Sequence, residues 1–150
     1  MRQTGDSLVA ARDVDQYLCL NNMHVLVPKE SAISASYCLG LINSRLLNWY
    51  YHTLNPEVGE ALAEVKKTNV AKLPIHTIDF SNSKDKSRHD KLVDLVERML
   101  ALQEQIAEAR ISQEKTIIQR QIEATDRQID QLVYELYGLT EEEVGIVEGR

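Results

Sequence analysis

Four histidines, His24, His52, His76 and His89, and two cysteines, Cys19 and Cys38, are the side chains of this sequence best suited to metal or nucleophilic chemistry. Transition metals need ligands at short, recurring separations, such as two histidines one turn apart on a helix. None of the six residues has a second ligand at such a spacing. The cysteines lie far apart in apolar segments, where a thiol behaves as a small buried hydrophobe. No glycine-rich loop is present to cradle a phosphate, and no Ser/His/Asp set stands out. The carboxylates of the C-terminal half recur at the spacing of a solvated helix face. These absences describe a chain that is not itself an enzyme, with no catalytic and no metal-binding residues.

The elements that would position any site are more plainly written. Residues 87–137 contain neither glycine nor proline, and the run ends at Tyr137-Gly138-Leu139-Thr140. In its first half Leu92, Leu95, Val96, Met99, Leu102 and Ile106 form one apolar stripe; in its second, Ile118, Ile122, Ile129, Leu132, Val133 and Leu136 form another. Between Ile106 and Ile122 a straight helix turning about 100° per residue carries the stripe to nearly the opposite face. A break near Ile111-Ser112-Gln113, with Ser112 as N-cap, lets two antiparallel helices bring the stripes together. A single rod is the alternative, because no glycine or proline marks the break. Ser87 with Asp90 is expected to cap the start, Gly138 to take the left-handed conformation at the stop, and Thr140 with Glu143 to open a short helix over 141–147.

Upstream the pattern is mixed. Leu8-Val9-Ala10, Tyr17-Leu18-Cys19-Leu20, Met23-His24-Val25-Leu26-Val27, Ala61 to Lys67 and Ile75 to Ile78 read as short strands. Residues 34–53 read as one helix capped by Ser34, with Pro56 as its latest end, and 68–72 as a single helical turn before Leu73-Pro74. Trp49, Tyr50 and Tyr51 suggest an aromatic platform for bases, but aromatics on so apolar a helix favour packing. The expected fold class is therefore α+β. A small mixed α/β head occupies residues 1–80 and a polar linker 81–87. An antiparallel helical hairpin follows over 88–137, then a turn with a short helix over 138–150.

At 150 residues, 43% hydrophobic and 27% charged, the chain can bury about two-thirds of its unfolded surface. No apolar run nears the roughly 18 residues of a membrane span and no signal peptide is visible, so no membrane partner is expected and the cytoplasm is the default. The net charge of −6 is unevenly placed: residues 1–87 hold nine Lys/Arg and nine Asp/Glu, residues 88–150 eight and fourteen. A neutral head permits a local basic face, whereas the hairpin carries all the excess acid.

Three stretches carry a family likeness: Leu39-Gly40-Leu41-Ile42-Asn43-Ser44-Arg45-Leu46-Leu47-Asn48-Trp49-Tyr50-Tyr51, Lys72-Leu73-Pro74-Ile75, and Ile129-Asp130-Gln131-Leu132-Val133-Tyr134-Glu135-Leu136-Tyr137-Gly138-Leu139-Thr140. Together they resemble the TaqI-like C-terminal specificity domain, over nearly the whole chain from Arg2 to Glu148; the last stretch is also similar to type I specificity subunits. Asn43, Ser44, Trp49, Pro74, Asp130, Tyr134 and Gly138 are its markers, and each suits a scaffold rather than a contact with nucleic acid.

The resemblance implies a domain that recognises DNA targets for adenine methyltransferases, including type IIG proteins that also carry a nuclease. It further implies that catalysis, and S-adenosylmethionine with it, belongs to a separate N-terminal portion whose Asn-Pro-Pro-Tyr type motif holds a flipped base. Asn55-Pro56-Glu57 departs from that motif. A recognition domain places Lys/Arg on phosphates and Arg, Asn, Gln or His on base edges. Arg2, Gln3, Arg12, Lys66, Lys67, Asn69 and Lys72 are the candidates in the head. The partners implied are double-stranded DNA and the methyltransferase or endonuclease portion of the same protein. The rival expectation is a non-catalytic helical interaction module that does not bind DNA and forms a homo-oligomer through its hairpin stripes.

Overall fold

Helix is the only regular secondary structure among the described residues, which overturns the expected α+β class and its mixed α/β head. The computed structural model describes residues 1–28, 33–55, 57, 59–60 and 63–150. Strand pairing reduces to two isolated antiparallel bridges, Arg2 with Met23 and Thr4 with Glu64. The β-favouring runs are real, but a strand needs a partner along its length, and among the described residues only 22–24 and 63–65 meet one, the first residues of the chain. Of the expected strand over 61–67, Ala61 and Leu62 lie outside the described residues, as does Pro56.

The expected helix over 34–53 is two helices, α1 (Ala35–Asn43) and α2 (Arg45–Leu54). Ser34 caps the first, its Oγ accepting from the Tyr37 N–H at 3.0 Å. Ser44 makes the corner: its hydroxyl donates to the Leu41 carbonyl at 2.7 Å and accepts from the Leu47 N–H at 3.3 Å, closing one helix and opening the next. The bend puts Tyr37, Leu41, Leu47 and Tyr51 wholly inside, but leaves Trp49 36% exposed, against the expectation that it packs. A single turn, α3 (Lys67–Val70), follows.

The long run is α4 (Ser83–Glu108) and α5 (Ser112–Tyr137), antiparallel, each about 39 Å long at 1.5 Å per residue. The chain reverses at residues 109–111. Ser112 is the first residue of α5 rather than its cap, and the cap position, Ile111, makes no side-chain bond. α4 also begins before Ser87. Asn82 caps it by accepting from the Lys84 N–H at 2.9 Å, so the polar stretch expected to be a linker is mostly the first turn of a helix. Leu102, Ala109, Ile118 and Ile122 form a small core at the hairpin tip, while Leu92, Val96, Ile129, Leu132 and Val133 join the main core under α1 and α2. Burying each such side chain is worth about 1.5–3 kcal/mol. α1 approaches α4 at Gly40, where a Cβ would lie 2.8 Å from Val96 Cγ2.

Gly138, at φ 67 and ψ 33, ends α5, and the Leu139 N–H reaches back to the Tyr134 carbonyl at 3.0 Å. Thr140 and Glu143 then form a capping box for α6 (Glu141–Val147). No helix among the described residues is long and apolar enough to cross a membrane.

Candidate nucleic-acid interface

The first residues lie between two other segments. On one side the Gln3 N–H donates to the Asn22 carbonyl and the His24 N–H to the Met1 carbonyl, at 3.1 and 2.9 Å. On the other, the Val65 N–H donates to the Gln3 carbonyl at 2.6 Å and the Gly5 N–H to the Ala63 carbonyl at 2.8 Å. His24 Nε2 spans the ribbon to the Val65 carbonyl at 2.6 Å. Residues 1–5 are therefore the middle of a three-segment ribbon too short to be a sheet. It pairs Gln3 with Val65 and so brings Lys66 level with Arg2, 64 residues away in sequence.

Of the seven expected contact residues, Arg2, Lys66, Lys67 and Lys72 are exposed and Gln3 is half-buried. The Arg2 guanidinium folds over the backbone of Gly5, where a Cβ would meet it at 2.7 Å. Lys66 pairs with Glu57 across the loop, which raises the ammonium pKa and lowers that of the carboxylate. Both groups are solvent-accessible, so the pair is weak and can be exchanged for a phosphate. Lys67 and Lys72 bracket α3 and make no ion pair among the described residues.

The other two residues are engaged by the fold. Asn69 is buried, its Nδ2 donating to the Leu54 carbonyl at 3.3 Å and so closing the C-terminal end of α2. The Arg12 guanidinium pairs with Glu97 of α4 and donates to Ser36 Oγ at 2.8 Å, while Ser36 donates to Glu97 at 2.6 Å. Arg12 and Ser36 together hold the Glu97 carboxyl below its ordinary pKa. Arg12 ties the N-terminal segment to the hairpin, and its charge is already neutralised.

A match to the family model of the TaqI-like C-terminal specificity domain covers residues 1–75. The chain belongs to that family. No curated protein and no solved structure matches the chain. The matched half takes in the ribbon, α1, the Ser44 corner, α2 and α3, but not the ending over 129–140. A specificity domain belongs to restriction-modification proteins, and its family implies DNA and a methyltransferase as partners in general.

Within this family member the marker residues act on backbone. Asn43 Oδ1 accepts from the Ala10 N–H at 2.8 Å and its Nδ2 donates to the Ala10 carbonyl at 3.0 Å. Asn48 repeats the arrangement on Leu8, at 2.7 and 3.4 Å. Two amides on the helix pair thus stand in for a strand partner to residues 8–10. Asp130, only 5% exposed, reaches from α5 to the start of α2, where it accepts from the Arg45 N–H at 2.9 Å and faces Arg45 Nε at 3.3 Å. Burial raises its pKa to about 6, against the lowering by Arg45. Tyr134 beside it is buried with no hydrogen-bond partner for its hydroxyl among the described residues, and burial raises its pKa to about 12. Tyr137 Oη donates to the Pro74 carbonyl at 2.5 Å and accepts from the His76 N–H at 3.1 Å, fixing residues 74–76 to the end of α5.

Asn48, Ser36, Glu97 and Tyr137 were not singled out from sequence as positioning residues. The signal that went unread is a pair of amides, Asn43 and Asn48, five residues apart among apolar neighbours. Cys19, expected to be buried, is exposed, and Cys38 is half-buried.

Proposed function

We propose that the chain recognises double-stranded DNA targets for an adenine methyltransferase of a restriction-modification or phage-defence system, through a face formed by Arg2, Gln3, Lys66, Lys67 and Lys72. The observation that supports this reading is the ribbon, which pairs the backbone at Gln3 with that of Val65, next to Lys66, in a specificity domain. Phosphate contacts from the four cations position the domain, and Gln3 has the donor and acceptor needed for a base edge. On this reading S-adenosylmethionine and the chemistry belong to the methyltransferase portion, accompanied by a nuclease in a type IIG arrangement. Arg12 and Asn69 support the face from behind rather than touching DNA.

A second reading, a protein-interaction module, is favoured by one observation: Val14, Tyr17, Leu18, Leu20, Val25 and Val27 are all exposed, Leu18 at 98%. An apolar run this open suits a partner surface. The hairpin stripes, in contrast, pack against each other and the head, with Leu95, Met99 and Ile106 only partly buried.

Titrating the chain with a labelled duplex separates the readings. With three to five phosphate contacts from the head, log affinity falls against log salt with a slope of roughly −3 to −4.5. Lys66→Glu with Lys67→Glu is expected to abolish this binding and, in the complete methyltransferase, to cut methylation without unfolding. Arg110→Glu with Lys115→Glu, at the hairpin tip, is expected to do much less. If the tip variant loses binding and the head variant keeps it, with both folded by circular dichroism, the head is not the DNA face.

A further inference from the structure

The hairpin's acidity hides one basic line. Lys84, Lys91 and Arg98 recur at seven-residue intervals on α4, all exposed. Seven residues are close to two turns, so the three lie along one side of the helix, about 10.5 Å apart and about 21 Å from first to last. They are distinguished from the other cations of α4 by their partners. Lys86 is paired with Asp90 and Arg88 with Asp85 at 3.7 Å, whereas Lys84, Lys91 and Arg98 make no ion pair among the described residues. Asp94, three residues after Lys91 and four before Arg98, is the carboxylate nearest the line along the helix.

The rest of α4 is engaged elsewhere. Leu92 and Val96 meet Gly40 of α1, His89 stacks on Tyr37 at 4.9 Å, and Glu97 receives Ser36 and Arg12. Leu102 and Met99 pack with the α5 stripe at the tip. The basic line therefore runs along the exposed margin of the buried stripe, within a segment whose net charge is negative. Three evenly spaced cations that make no ion pair among the described residues, with Asp94 the one carboxylate beside them, suit a polyanion of regular charge spacing.

We infer that Lys84, Lys91 and Arg98 form a second phosphate-contacting surface, by which α4 carries DNA binding from the head along the hairpin. The inference rests on the DNA-recognition reading above and adds to it that the hairpin is a contact surface as well as a spacer. A duplex is favoured over an acidic protein because the chain is a specificity domain and the line offers repeated point charges without an apolar anchor.

The test is a salt titration of duplex binding by the whole chain, comparing Lys84→Gln/Lys91→Gln/Arg98→Gln with Arg110→Gln/Lys115→Gln/Arg120→Gln. Both triples remove three charges and keep good helix formers. Each phosphate contact contributes about −0.9 to the slope, so the α4 triple is expected to flatten it by about 2.7. Between 50 and 200 mM salt the native chain then loses roughly fortyfold more affinity than the α4 triple does. The tip triple is expected to keep the native slope. If both triples behave alike while Lys66→Glu/Lys67→Glu abolishes binding, the α4 line is only a solvated face and the head reading stands. If the native chain binds no duplex, both readings fail. If the α4 triple loses binding of polyglutamate but not of DNA, the line is an acidic-protein surface and the inference is overturned.

Discussion

The hairpin and the N-terminal ribbon satisfy their backbones in opposite ways. In α4 and α5 each N–H finds a carbonyl four residues back, so sequence periodicity alone specifies the element, and side chains are left to decide packing. In residues 1–10 the partners outside the segment come from 19 to 62 residues away: Asn22, Val65 and Ala63 through their backbones, Asn43 and Asn48 through their amides. A region built in this way depends on single side chains more than a helix does. It is also where exposed Arg2 and Lys66, distant in sequence, lie on neighbouring segments.

The sharpest way to break the contrast is at the contact between the two regions. Gly40→Leu adds a side chain where even a Cβ comes within 3.2 Å of Leu92 and Val96, and overpacking of this kind costs about 1–3 kcal/mol, occasionally more. A denaturant midpoint lowered accordingly is expected, with α4 and α5 themselves still helical by circular dichroism. Next is the amide pairing. Asn48→Ala removes both bonds to Leu8 and leaves its N–H without a partner, a loss of about 1–3 kcal/mol. The same substitution at exposed Gln128 of α5 is expected to shift the midpoint within about 0.5 kcal/mol.

Asp130, which ties α5 to the start of α2, adds a dependence on pH. Its folded pKa of about 6 lies above the ordinary 3.8, so the native state holds the proton more tightly than the unfolded chain does. The stabilisation from that proton is complete below about pH 4 and is lost as pH rises through about 6, at most on the order of 2–3 kcal/mol. Asp130→Asn is expected to flatten stability between pH 4 and 7, and an unchanged slope would show that Asp130 is not the group responsible. A smaller effect is expected at Gly138→Ala, about 1–2 kcal/mol from a forced left-handed residue, read as a lower melting midpoint.

The same contrast explains what could be read from sequence. Gly138, Thr140 and Glu143 act within a few residues of one another, so the end of α5 and all of α6 were legible, as was the reversal between Ile106 and Ile122 from the phase of its stripes. The start of α4 was missed because residues 83–88 are polar throughout and carry no apolar period, while Asn82 and Ser87 are equally good caps in isolation. Tyr17–Leu20 and Met23–Val27 have the composition of strands, but composition does not supply a neighbour; only residues 22–24 meet one, and Leu18 is left in solvent. At the site, Lys66, Lys67 and Lys72 were legible as surface cations. Arg12 and Asn69 were misleading because Glu97 and the Leu54 carbonyl, which occupy them, are 85 and 15 residues away.

On the proposed reading the ribbon edge, rather than the apolar run or the hairpin tip, meets DNA. Amide hydrogen exchange of the whole chain with and without a saturating duplex tests it most directly. Slower exchange is expected over residues 1–5 and 63–72, with the tip over 105–118 unchanged; protection confined to the tip or to residues 14–27 would contradict the account.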